Sequence, residues 1–187
     1  MTDTDTAFWC VRGDIAKTER RCLMVYPEEF RQLMSQFATG VCIVSATDDT
    51  QRPRALTVNS LMSACLNPPT IVVGIARSSD TYPVLERSGY LGISILSGEQ
   101  AWIAKRLATK ASDKCDGVPF IQAPHGIWVI DNALGYVICQ IRDQHAIGDH
   151  DLFVVTVTHV HCQDGAPLVF YARNFWPLQG SASRTQG

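Results

Sequence analysis

Apolar residues cluster in seven short runs separated by polar and turn-forming segments. The runs are VCIVSAT (41–47), ALTV (55–58), TIVVGIA (70–76), YLGISIL (90–96), GYVICQIR (135–142), LFVVTVTHVHC (152–162) and PLVFYA (167–172). Their length, β-branched content and flanking turn residues predict strands. Ahead of them, PEEFRQLMSQFATG places Phe30, Leu33, Met34 and Phe37 at helical spacing. Pro27, Glu28 and Glu29 suit the start of that helix and Gly40 its stop. The apolar stripe predicts a helix face packed into the core. Two helical inserts, TYPVLERSG (81–89) and GEQAWIAKRLATK (98–110), interrupt the strands. The second is expected to bury Trp102, Ile103, Arg106 and Leu107 on one side. Many strands, few helices and no regular strand–helix alternation favour an antiparallel barrel over a parallel doubly wound sheet.

A chain of 187 residues is one domain with tails. Residues 1–26 carry no periodicity and read as a mobile N-terminal extension. The domain spans 27–179, and GSASRTQG (180–187) reads as a disordered tail.

A formal charge of -2, without a basic stripe, argues against nucleic acid as a partner. The longest apolar runs fall far short of a membrane span, and the polar start MTDTDTAFW lacks the features of a secretory signal. Seven scattered cysteines with no CxxC pair argue against a disulfide framework or a zinc knuckle, and make a reducing cytoplasm the simplest home. Cys42 and Cys139 fall inside apolar strands and read as core residues.

The stretch LTVNSLMSACLNPP (56–69) sets Thr57, Asn59, Ser60 and Ser63 between two core strands. Short donors beside the unpaired amides of a strand end suit a flat, acceptor-rich ligand such as an isoalloxazine ring. The segment ARSSDT (76–81) brings Arg77 and Ser78 to a helix start, where phosphate is well held. Gly148-Asp149-His150 precedes a strong strand; Gly148 permits a tight turn with positive φ, and His150 then projects from the strand start. A locally bonded turn histidine is the other reading. His159 and His161 share a strand face, but no third metal ligand is evident. The chain has no GxGxxG, so a nicotinamide nucleotide is not expected on a Rossmann unit.

The ordered set FATGV, TVNS with its trailing NPP, LSGEQ and GDH resembles the flavin reductase-like family, from about Pro27 to Leu178. These are short-chain NAD(P)H:flavin oxidoreductases that serve as reductase components of two-component monooxygenases. The resemblance implies a mainly β fold, the split β-barrel of the FMN-binding type, antiparallel with short helices. It implies a homodimer with sites near the interface. FMN or FAD is the expected cofactor, NADH or NADPH the electron donor, and a flavin-dependent oxygenase the partner that receives reduced flavin. Thr57, Val58, Asn59 and Ser60 line the ring and ribityl chain in this reading, with Ser63 further along the same stretch. Ala76, Arg77 and Ser78 lie near the phosphate. Gln100 follows the LSxxQ pattern, His150 positions the nicotinamide nucleotide, and Phe175 shapes that side of the pocket. Ser94, Cys115 and Asn174 depart from the family pattern. A tightly FMN-bound oxidase or electron-transfer protein, or a non-enzymatic flavin- or haem-binding barrel, is the alternative.

Overall fold

Twelve strands and three α-helices form over residues 25–178, the part of the chain that the computed structural model describes. The N-terminal extension up to residue 24 and the expected tail lie outside the described residues. In chain order the elements are α1 (Pro27–Ser35), β1 (Thr39–Gly40), β2 (Cys42–Thr47), β3 (Pro53–Val58), β4 (Leu61–Leu66), β5 (Pro69–Ala76), α2 (Tyr82–Arg87) and β6 (Tyr90–Ile95). They continue with α3 (Ala101–Leu107), β7 (Phe120–Gln122), β8 (Trp128–Ile130), β9 (Gly135–Ile147), β10 (His150–Cys162), β11 (Leu168–Tyr171) and β12 (Asn174–Pro177). Every expected apolar run is a strand. β1, β4, β7, β8 and β12 are additional.

The main sheet has seven strands in the order β3-β2-β6-β9-β10-β5-β4, each pair antiparallel. It coils on itself. Inward side chains from β2, β3, β5, β6, β9 and β10 meet in one core that includes Val44, Leu56, Ile75, Leu91, Cys139 and Phe153. A three-stranded sheet, β1-β11-β12, splits away from it, joined where Leu168 N donates to Leu96 O at 3.0 Å. The fold is an antiparallel split β-barrel with short helices.

β2 shows how strand alternation serves two layers. Cys42, Val44 and Ala46 point into the barrel core. Val41, just before the strand, and Ile43 point outward into a second core, under Ile103, Ala104 and Leu107 of α3. Period-two geometry sends neighbouring residues to opposite faces, so a strand covered on both sides reads as an unbroken apolar run. Gly92 on β6 sits where the β7–β8 hairpin crosses. A Cβ there would meet Ser45 Oγ at 2.9 Å and the methyls of Ile127 and Val129 at 3.0 Å, closer than side chains pack.

Two expectations need correction. The α1 stripe is not core: Phe30, Leu33, Met34 and Phe37 are between 46% and 68% exposed, and no residue of α1 is buried. Polar links hold the helix instead. Ala172 N donates to Ser35 O at 2.8 Å, and Arg173 Nη2 lies 2.6 Å from Glu28 Oε1. On α3, Ile103 and Leu107 are buried as expected, but Trp102 is 49% exposed. Arg106 is only partly covered and donates from Nε to Lys114 O at 2.9 Å. The buried face of α3 runs through Ile103, Ala104 and Leu107, and Trp102 falls outside it.

Candidate functional site

Strand order and register bring three connections to one end of the main sheet. The β9–β10 turn ends at His150, which pairs with Ala76, the last residue of β5. Two residues back on β5, Gly74 N donates to Ser60 O at 3.0 Å, which fixes the β3–β4 turn beside it. The sequence segments TVNS, ARSSDT and GDH, scattered over about ninety positions, therefore share one rim.

Next to the β3–β4 turn is a cleft of about 170 Å³ lined by Val41, Thr57, Val58, Asn59, Ala108, Phe170 and Phe175. Its walls are mainly apolar. Phe170 and Phe175 pack with ring centroids 5.3 Å apart on the β11–β12 hairpin. Thr39 of the FATGV segment pairs with Phe170, and its Oγ1 is buried with no hydrogen-bond partner. A buried hydroxyl without a partner is uncommon in a folded protein.

The expected site residues divide into free and committed side chains. Asn59, Ser63 and Ser78 are exposed, and no hydrogen bond engages their side chains among the described residues. Thr57 Oγ1 donates to Ala104 O of α3 at 2.7 Å. Ser60 Oγ donates to Gly74 O at 2.7 Å. Gln100 accepts from Ser97 N at 3.0 Å and donates to Asp131 O at 2.8 Å, so both ends of its amide are spent inside the fold. Gln100 thereby shapes the Ser97–Ala101 turn. Ser63 stands on β4, which forms a strand at the sheet edge rather than a polar rim loop. Ser94 is fully buried and accepts from Ile130 N at 3.0 Å.

Gly148 adopts φ +56°, the left-handed turn that its position in the sequence predicts. His150 Nδ1 lies 2.7 Å from Asp149 Oδ1. A carboxylate can only accept, so Nδ1 carries the proton and Nε2 is left for another partner. That hydrogen bond, followed by the histidine's charge, lowers the Asp149 carboxyl.

Asp151 is the residue that sequence reasoning missed. It shares the inward face of β10 with Phe153 and Val155, and is buried. Its Oδ2 accepts from Tyr82 Oη at 2.6 Å and from Gln144 Nε2; its Oδ1 lies 2.6 Å from Arg77 Nε. The bonds from Tyr82 and Gln144, then Arg77, hold its carboxyl down to about 2. The signal was present: an aspartate at a core-facing position of a strand is costly unless paired.

The donor set suits a flat ring with acceptors on its edge. The free side chain of Asn59 lines an apolar cleft, the usual composition of a cofactor site, and Ser78 stands elsewhere on the same rim. Among the described residues no cluster of three or more histidines, cysteines or carboxylates could hold a metal ion. His159 and His161 instead stack on Tyr136.

Residues 34–179 match the family model for a flavin reductase like domain. The chain is 32% identical over 157 residues to an NADH-dependent flavin reductase from a Rhodococcus species, covering 83% of this chain and 88% of that one. It is 31% identical over 153 residues to an actinorhodin polyketide dimerase from Streptomyces coelicolor, covering 81% and 86%. The flavin reductase of a styrene monooxygenase from Pseudomonas putida S12 superposes with TM-score 0.74 at 27% identity, covering 80% of this chain and 96% of that one.

Proposed function

The chain belongs to the flavin reductase-like family and is an oxidoreductase that reduces FMN or FAD with NADH or NADPH; on that premise we propose that the shared rim is where flavin and nicotinamide meet. Reduced flavin then passes to a partner monooxygenase. When both are bound, nicotinamide C4 supplies a hydride that flavin N5 accepts.

The protein's part is to bind, orient and exclude water. Thr57, Val58 and Asn59 form the wall for the flavin ring, with Ser60 and Ser63 beyond them on the rim. Ala76, Arg77 and Ser78 edge its phosphate end, where Ser78 brings an uncommitted hydroxyl. Gln100 supports the turn behind the site through its bonds to Ser97 and Asp131. Phe175 closes the apolar side. His150 meets the nicotinamide nucleotide through Nε2. One domain, 27–179, carries the activity.

The protein acts as a homodimer with the site close to the interface. Two observations support this. A cleft of about 170 Å³ is small beside the ~300–1,000 Å³ of typical cofactor pockets, so a second copy completes it. The α1 stripe and, separately, Met62 and Leu66 on the edge strand β4 leave large apolar side chains exposed. The cytoplasm is its compartment; Cys42, Cys65, Cys115, Cys139 and Cys162 are all free thiols. No helix among the described residues is long and apolar enough to cross a membrane.

The convergence of TVNS, ARSSDT and GDH on one end of the sheet is the observation that carries this reading. Oxidation of NADH and NADPH is measured with FMN, FAD and riboflavin in turn. Turnover with at least one pair is expected, together with a raised nicotinamide KM and unchanged flavin affinity in His150→Ala. An unchanged nicotinamide KM in that variant removes His150 from the site.

A further inference from the structure

We propose that Asp151 and Arg77 are positioning residues that set the orientation of His150, an inference that rests on the nicotinamide role of His150 given above. Arg77 spends three of its five N–H donors within the fold. Nε donates to Asp151 Oδ1 at 2.6 Å, Nη1 to Gly148 O at 3.3 Å and Nη2 to His150 O at 3.3 Å. Its main-chain N donates to Asp149 O at 3.1 Å. One residue thus touches all three members of the Gly148-Asp149-His150 turn.

The guanidinium holds that geometry because Asp151 holds the guanidinium. Asp151 is itself fixed from two further sides, by Tyr82 Oη at 2.6 Å and by Gln144 Nε2, which also donates to Tyr82 Oη at 2.8 Å. Glu86 Oε1 lies 3.5 Å from Tyr82 Oη. The anchors come from α2 and β9, and β10 carries both Asp151 and His150. A planar guanidinium fork bonded in three directions has little rotational freedom, unlike a lysine at the same place. The adjacent glycine, at φ +56°, is permissive by itself, so the turn needs such a clamp to present one conformation. Arg77 serves the nicotinamide side through this clamp, and its two remaining N–H groups are all it can offer a phosphate.

The test compares Asp151→Asn, His150→Ala and the double variant in the full chain. NADH KM, kcat, flavin affinity and melting temperature are read for each. Asp151→Asn keeps the side chain's size and removes its charge. It is expected to raise the NADH KM about tenfold, the scale of one lost charge-assisted hydrogen bond, with a smaller effect on the affinity for flavin, whose phosphate end Arg77 also edges. Added to His150→Ala it should raise the KM no further, because the clamp acts only through the histidine. A merely structural carboxylate would lower the melting temperature and leave the NADH KM alone. If His150→Ala raises the KM and Asp151→Asn does not, the clamp is overturned and the role of His150 stands. If the two effects multiply, Asp151 acts independently of His150 and the proposal falls. If His150→Ala leaves the KM unmoved, the role of His150 fails first and the proposal with it. Should Asp151→Asn not fold, Tyr82→Phe loosens the same carboxylate with the ring retained. A KM rise of about threefold that vanishes in the His150→Ala background is then the supporting result, and no rise is the overturning one.

Discussion

Asn59 and Asp151 mark two kinds of polar residue in this site. Asn59 is exposed with an uncommitted amide, so its value lies in what it can bind. Asn59→Ala should leave the melting temperature unchanged and weaken flavin affinity about fivefold to tenfold in a fluorescence titration, as expected for one lost hydrogen bond. Asp151 is the reverse, a carboxylate whose partners lie inside the fold. Its pKa is lowered from 3.8 to about 2 by Tyr82 and Gln144 first and Arg77 after them. A depressed carboxyl stabilises the fold fully above its unfolded value and loses that contribution as the pH falls through the folded one. The stability advantage of the wild type over Asp151→Asn should therefore be complete at pH 6 and disappear between about pH 4 and pH 2, read from urea midpoints. Asp48 titrates in the same range: burial raises its carboxyl, but bonds from Thr50, Arg52 and Arg54 outweigh it and leave it at about 2. The comparison between variants cancels that shared background.

Among the elements, β10 links stability to chemistry. Its inward residues run from Asp151 at the rim through Phe153 to Val155 in the barrel core. Phe153 is fully buried and meets Tyr82 edge-on, with centroids 6.2 Å apart. Phe153→Ala should cost about 3–5 kcal/mol by denaturant unfolding, through lost apolar contact and the cavity left behind. It should also loosen Tyr82 and hence the Asp151 network, so the NADH KM of the folded fraction should rise. The apolar runs of the main strands were legible because a barrel wall covered on both faces leaves few polar positions. β1, β7 and β8, two or three residues long, are too short to show alternation. β4 was hidden for another reason. Ser63 interrupts its apolar run, and an edge strand open to solvent shows no buried face to mark it out.

At the scale of the whole molecule, the exposed face of α1 has the stripe of a core helix, and no other described residue buries it. Leu33→Asp should leave the fold intact, since no α1 residue is buried, and should convert the proposed dimer of twice 20.6 kDa into a monomer by light scattering. Loss of flavin turnover in that monomer would follow from a site completed by the second copy. A variant that remains dimeric would place the interface elsewhere. Seven of the twelve strands, the helix positions and the family could be read from the sequence alone, because periodicity and short motifs are local properties. It also foretold the left-handed turn at Gly148, since few other residues accept that backbone. Which side chains are free was settled by packing in space. Thr57, Ser60, Gln100 and Arg77 look equally available in the sequence, yet each is bound to a partner that the fold supplies from 3 to 74 positions away. Hydrogen-bond partners are chosen by proximity in space, and strand order, not chain order, sets that proximity.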